Sequence, residues 1–254
     1  MMHGNMLVIS NGGARSSAGA WMPPITTSLI VAAIPRPEWV RQNANGTGAV
    51  TADGDPVGYM EDRGSLGIVW RQTTDGDRPL FRTDGIHHWL EGGGTKHLVS
   101  LASDLTTVVP ISIADDMTVY QSFRRPSAGT LSIGLGGVPI TTEIPSFWYD
   151  GDNKIYYGLP AAQSTAADTS TGAMQITTRR LSAGPRATLR KNGSQVHDSA
   201  AGAGALSGSM RYLLRASGSY HADRWYGSLA YSTGHEDASG DLLALETWTA
   251  ALSV

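Results

Sequence analysis

The chain of 254 residues contains no cysteine. That absence excludes a disulfide framework, a zinc–thiolate site and a thiol nucleophile together. Charge is scarce as well: 16% of residues are Asp, Glu, Lys or Arg, and the formal net charge is −3. There is no run of Lys or Arg, so nucleic acid is not expected as a partner. Long hydrophobic runs are missing too. The apolar run Leu29 to Ile34 is far too short to span a bilayer, and no basic region precedes it. The expectation is a protein made and assembled in a cytoplasm, without membrane insertion.

What is present points to β-structure. Thirty-one glycines and frequent Ser and Thr suit short strands joined by tight turns. Ser28 to Ile34 reads as a first strand, stopped by Pro35 and Pro37. Met117, Val119, Gln121 and Phe123 alternate with Thr118, Tyr120 and Ser122, the period of a strand. Thr130 to Leu135, Ala173 to Leu181, Ala187 to Lys191 and Arg211 to Ala216 read as further strands. Asn192–Gly193 is the strongest hairpin signal, with Ser194 to His197 returning. A turn at Gly151–Asn153 joins Phe147–Asp150 to Lys154–Gly158 in a second hairpin. At least ten strands predict a sandwich or barrel. No linker or repeat divides the chain. Residues 1–27 are expected to be an irregular Gly- and Ser-rich arm, with Trp21 and Pro23–Pro24 able to dock on a neighbour, and residues 28–254 one domain.

The last stretch, Tyr220 to Val254, organises the rest. Trp225, Gly227, Leu229 and Tyr231 alternate as one face of a strand. Ser239 stands at a helix N-cap position, with Asp241 in the first turn. Leu242, Leu245, Trp248, Thr249 and Leu252 then form one helical stripe. A strand with an aromatic–Gly core (WYGSLAY), a loop and a helix of this pattern resembles the closing element of concanavalin A-like (laminin-G-like) jelly rolls. The segment Thr51–Arg82 adds to this, with DGDPVG at Asp53 to Gly58, then Asp62, Gly64, Gln72 and Arg78–Pro79. That pattern resembles the version of the fold in tailed-phage structural proteins. A usual continuation ends in an Asp pair. Here the chain reads HHWLEGGGTKHLVS from His87 to Ser100, and the pair is absent. The resemblance implies an all-β, concanavalin A-like jelly-roll β-sandwich with one C-terminal α-helix.

Catalytic chemistry finds little support in the residues. Glucanases of this fold set two carboxylates on alternate residues of one strand, and neither E-x-D-x-E nor its one-residue-longer variant occurs. Glu236, Asp237 and Asp241 fall in the loop and helix start, where capping and solvation account for them. No G-x-S-x-G elbow places a serine, and GLGGV at Gly134–Val138 lacks the lysine of a phosphate loop. Three Asp-Gly-Asp triplets, starting at Asp53, Asp75 and Asp150, are default turn chemistry and match no calcium loop. His87 and His88 are expected on opposite sides of a strand, where they cannot share a metal. No catalytic residue, metal or cofactor is therefore expected, and no enzymatic activity.

Aromatic residues supply the candidate site. Trp148, Tyr149, Tyr156 and Tyr157 sit on the two arms of one hairpin, beside Asp150, Asp152 and Asn153. An aromatic platform flanked by hydrogen-bonding groups is suited to sugar rings. The competing reading places these rings in the core or a subunit contact. The resemblance implies a virion protein of a tailed phage, a capsid decoration or a tail or fibre component assembled in the host cytoplasm. Its partners would be other virion proteins, further copies of itself in a homo-oligomer, and a host cell-surface glycan. The alternative is a free carbohydrate-binding, lectin-like module, and a third reading is a glycoside hydrolase or polysaccharide lyase.

Overall fold

The computed structural model of the chain describes residues 21–112, 116–125, 127, 134–138, 147–149, 153–157, 167–181, 186–199, 209–214, 224–235 and 240–253. Seventeen strands lie within them. In chain order they are β1 (Leu29–Ala33), β2 (Val40–Arg41), β3 (Tyr59–Glu61), β4 (Val69–Arg71), β5 (Leu80–Thr83) and β6 (His88–Glu91). They continue as β7 (Leu98–Leu101), β8 (Ile111–Ser112), β9 (Met117–Arg124), β10 (Leu135–Val138), β11 (Phe147–Tyr149) and β12 (Ile155–Tyr157). The last are β13 (Met174–Leu181), β14 (Arg186–Lys191), β15 (Ser194–Ser199), β16 (Ser209–Leu213) and β17 (Arg224–Tyr231), followed by helix α1 (Gly240–Ala250). The expected strand start at Thr130 and the N-cap residue Ser239 lie outside the described residues.

One antiparallel sheet of eight strands runs β15-β14-β13-β9-β17-β6-β5, with β1 also paired to β17. A second, of seven strands, runs β10-β16-β7-β4-β3-β2, with β8 on β16. Strands β11 and β12 pair only with each other. The Asn192–Gly193 turn has φ of 49° and 80°, both positive as a type I′ hairpin requires. It places β15 beside β14, as the sequence predicts.

Hydrophobic side chains from the two sheets meet between them. Val119, Phe123, Ile176, Leu189 and Trp225 of the larger sheet pack on Met60, Trp70, Leu98, Leu135 and Leu213 of the smaller. A second apolar cluster lies on the other side of the eight-stranded sheet. There Tyr120, Leu229, Tyr231, Trp89 and Tyr226 are covered by Leu242, Leu245 and Leu252 of the C-terminal segment. The result is a jelly-roll β-sandwich with α1 laid on its outer face. It also explains β9, where Met117 to Phe123 are buried on both faces despite the polar alternation. Thr118, Gln121 and Ser122 are buried polar residues, and alternation alone sets Thr118 and Ser122 on the face opposite Met117, Val119 and Phe123.

The closing strand departs from simple alternation. Its register with β9 shifts between Trp225 and Gly227, the sign of a β-bulge. A bulge changes which face the following residues occupy. Trp225 therefore enters the core between the sheets, while Leu229 and Tyr231 face the helix. The four residues expected on one face are divided between two. Gly227 is needed at this point because a Cβ there would stand 3.0 Å from Leu252 Cδ1 and 3.2 Å from the Ala33 carbonyl.

Candidate functional site

The aromatic hairpin forms as expected in its backbone. Register pairs Phe147 with Tyr157, Trp148 with Tyr156, and Tyr149 with Ile155. The arrangement thus brings Trp148 and Tyr156 to one register position, with Ile155 buried at the neighbouring one. Asn153 takes φ of 65° in the turn. Its carbonyl accepts the Asp168 amide at 2.8 Å, tying the hairpin to the segment before β13. Asp150 and Asp152 lie outside the described residues.

A second surface, not anticipated from the sequence, crosses the outer face of the seven-stranded sheet. Register aligns Gly136, Tyr212, Val99, Arg71, Tyr59 and Arg41 in one continuous row over six strands. Cross-strand partners share a face, and here the neighbours Met60, Trp70 and Leu98 point into the core. Tyr212, Val99, Arg71, Tyr59 and Arg41 are all half-buried, so the row is covered at its base and open at its edge. The β16 register shifts against β10 between Gly136 and Gly137. The extra residue is Arg211, which joins Tyr212 on the outer face and holds its Cζ 5.1 Å from the tyrosine ring centroid. Strands are spaced by about 4.8 Å, so Tyr212 and Tyr59, three strands apart, are separated by about 14 Å.

Arginine donors line the row. The Nε atoms of Arg71 and Arg211 are buried and have no hydrogen-bond partner. A buried guanidinium nitrogen left without an acceptor is costly unless a ligand supplies one. Arg71 donates its Nη1 to the carbonyl of Leu105, which takes φ of 61°. Gly46 lies against the Tyr59 ring from the other side, so two loops border the row. What this surface offers chemically is two aromatic faces alternating with guanidinium donors. The signal was in the sequence only as Tyr and Arg residues scattered over four separate strands.

A third feature is a cavity of about 150 Å³ on the opposite side of the sandwich, lined by Trp21, Ile34, Arg36, Ile86, His87, His88, Tyr226, Ala251 and Leu252. It brings His87 and His88 to one wall, against the sequence expectation. The reason is that β6 begins at His88, leaving His87 in the preceding turn where strand alternation does not apply. Burial and the nearby Arg36 charge push the His88 imidazole down to about 4, so it is neutral at neutral pH.

The DGDPVG segment and the residues after it have structural roles. Asp55 accepts the amides of Thr51 and Ala52 at 2.8 and 2.9 Å, closing its own turn. Asp53 pairs with Arg82 at 3.0 Å. A Cβ at Gly58 would fall 2.6 Å from the Gln42 carbonyl, and one at Gly64 2.3 Å from that of Ile30. Gln72 bonds the His97 imidazole, and Arg78 donates to the Gln72 carbonyl at 3.3 Å. Asp75 pairs with Arg78 at 2.6 Å, and Asp77 accepts the Thr95 hydroxyl. Among the described residues no three His, Asp or Glu side chains form a metal-binding group.

Under the C-terminal segment lies a buried polar network. Tyr120 shares a 2.6 Å hydrogen bond with His235 Nδ1, and Arg179 donates to the His235 carbonyl at 2.9 Å and to Thr188 Oγ1 at 2.7 Å. Burial holds the Tyr120 phenol above and the His235 imidazole below their ordinary ranges. These groups are enclosed, and what they do is fix His235 beneath the C-terminal segment.

Two facing antiparallel sheets with one helix on the outer face of the larger define a concanavalin A-like jelly-roll β-sandwich. No protein-family model and no curated protein matches the sequence. Solved structures do match in fold. The sialidase of Trypanosoma rangeli superposes with a TM-score of 0.52 at 13% identity, covering 88% of this chain and 33% of the sialidase. The same sialidase in complex with the inhibitor DANA gives 0.51 at 14% identity, covering 98% and 35%. The CBM40 of the Ruminococcus gnavus IT-sialidase, bound to alpha2,6 sialyllactose, gives 0.38 at 13% identity over 53% of this chain and 82% of that one, too low to carry an argument. This chain spans about a third of the length of the T. rangeli sialidases.

The expectation of a protein without enzymatic activity is corrected by these matches. The T. rangeli sialidase chains that share its fold at TM-scores of 0.52 and 0.51 are enzymes. The missing E-x-D-x-E motif tests one arrangement of carboxylates on one strand, and it has no bearing on other catalytic arrangements.

Proposed function

We propose that this sandwich is a lectin-like domain that binds an acidic glycan across the outer face of its seven-stranded sheet. The observation that carries this reading is the row Tyr212, Val99, Arg71, Tyr59 with Arg211 at its end. Two tyrosine faces set about 14 Å apart suit stacking on successive sugar units of a chain. The unpartnered Nε donors of Arg71 and Arg211 favour carboxylate or sulfate groups on that chain. The aromatic hairpin of Trp148, Tyr149, Tyr156 and Tyr157, with Asp150 and Asp152, is a further contact for the same ligand class.

The test is binding of acidic and neutral polysaccharides, measured by calorimetry on the full chain and on Tyr212→Ala and Arg71→Gln. Selective binding of acidic chains, weakened about tenfold by either substitution, is the expected result. Equal affinity of both variants and the parent would overturn it, with circular dichroism verifying that each variant is folded.

Display on a tailed-phage particle is a second reading, motivated by the DGDPVG, Asp62, Gly64, Gln72, Arg78–Pro79 pattern. Mass spectrometry of purified particles tests it. Recovery of the chain at defined copy number supports it, and complete absence removes it.

A further inference from the structure

We infer that the cavity between Trp21, Arg36, His88 and Tyr226 is a separate binding site for a small organic carboxylate carrying a six-membered ring. The site goes beyond the glycan reading and does not depend on it. Tyr226 and Ile34 belong to the apolar cluster outside the eight-stranded sheet. The tyrosine–arginine row lies outside the other sheet, so the two sites are on opposite faces of the sandwich.

The floor of the cavity is apolar. Ile34, Tyr226 and Leu252 are 1%, 5% and 8% exposed. A space of about 150 Å³ is known to take a benzene-sized ring when its walls are apolar. The wall is different in kind. Arg36 holds its guanidinium carbon 3.5 Å from the Trp21 ring centroid, which fixes the side chain at the cavity edge. Its Nε is buried without a hydrogen bond. Glu38 Oε1 stands 3.5 Å from that same Nε as an ion pair, and the Glu38 side chain is 43% exposed. His88 Nδ1 is likewise buried without a hydrogen-bond partner, while the ring is held against Phe81 at 5.4 Å. His87 Nδ1 sits 3.0 Å from Asp84. Ile86, 72% exposed, stands at the lip.

A carboxylate serves both nitrogens at once, completing His88 Nδ1 and taking the place of Glu38 on Arg36 Nε. One oxygen accepts from Arg36 Nε, a charge-assisted bond, and the other accepts from the Nδ1–H tautomer of neutral His88. The ring attached to it enters the apolar floor beneath. A neutral amide of the same shape lacks the charge that Arg36 selects. Glu38 is the internal competitor for Arg36, so its removal favours the ligand.

The experiment is titration of the full chain with benzoate and with benzamide, followed by calorimetry and by the His88 imidazole signals in NMR. Expected are binding of benzoate, no binding of benzamide, and a shift of the His88 signals on saturation. Arg36→Met weakens benzoate about tenfold, and Glu38→Gln strengthens it about threefold. Tyr212→Ala leaves it unchanged, which separates this site from the glycan row. Equal binding of benzoate and benzamide, or no binding of either, overturns the inference. Because Glu38 is exposed and its substitution is benign to folding, an unchanged affinity in Glu38→Gln overturns it even if Arg36→Met fails to fold.

Discussion

Asp62 Oδ2, just after β3, accepts a hydrogen bond from the Trp70 indole nitrogen of the neighbouring strand β4 at 2.8 Å. Its Oδ1 accepts the amides of Ala32, in β1 of the larger sheet, at 3.0 Å and of Gly64 at 2.7 Å. One carboxylate thus ties both sheets and the connecting loop, with Trp70 fully buried beside it. Asp62→Asn keeps the shape but turns an NH₂ toward at least one of three donors. The expected loss is about 2 kcal/mol of unfolding free energy, read from urea midpoints at unchanged slope.

The same residue sets a pH dependence. Burial pushes the Asp62 carboxyl up to about 6, against the pull of its three hydrogen bonds. Between the ordinary carboxylate value of about 4 and this value the folded state keeps a proton that the unfolded state has released. Asp62 therefore contributes stability that is full below pH 4 and is lost as pH rises through 6. Urea unfolding of the parent between pH 4 and pH 7 should show this decline, and Asp62→Asn should lack that component.

Gly227 and Leu252 form a second tight contact, where the closing strand meets the C-terminal segment. A methyl group at Gly227 would press on Leu252 Cδ1 at 3.0 Å. Gly227→Ala should cost about 2 kcal/mol by overpacking. Leu252→Ala should cost a similar amount through lost burial, about 2 kcal/mol. Because each relieves the other, the double variant should fall short of the sum by on the order of 1 kcal/mol. Strict additivity in thermal unfolding would refute the contact.

Glu246 is 2% exposed by side chain and makes a forked pair with Arg190 at 2.8 and 3.2 Å. It anchors α1 to β14 from the outer face. Glu246→Leu takes the only carboxylate of this pair from a part-buried guanidinium that keeps the Gly193 carbonyl, and the expected cost is about 3 kcal/mol. Added salt should restore little of it, because a buried pair is weakly screened. Melting curves at low and high ionic strength distinguish this from a surface pair.

Glycan binding on the opposite face should behave differently toward salt. If Arg71 and Arg211 contact anionic groups at a half-exposed surface, raising ionic strength weakens the complex. Affinity for an acidic polysaccharide should fall steadily between low and physiological salt, and Arg71→Gln should flatten that dependence. A salt-independent affinity would mean that stacking on Tyr59 and Tyr212 carries the binding alone.

Much of the architecture was written locally. Strand period, the positive-φ Asn192–Gly193 turn and the Leu242, Leu245 and Thr249 part of the expected helical stripe depend on neighbours a few residues apart, so they could be read directly. Leu252 lies past the end of α1, and Trp248 is half-buried. The paired hairpin of Trp148 and Tyr156 was legible for the same reason. The sequence by itself determined a cysteine-free, Gly-rich β-sandwich closed by one helix. Tertiary structure decided the rest. The bulge at Trp225–Gly227 divided one apparent face between two cores, and the start of β6 at His88 set two histidines on one cavity wall. The Tyr212–Val99–Arg71–Tyr59 row arises from strand order, which joins residues up to 153 positions apart in the chain. Local periodicity carries no information about which strands become neighbours, because that choice is made by long-range packing between the sheets.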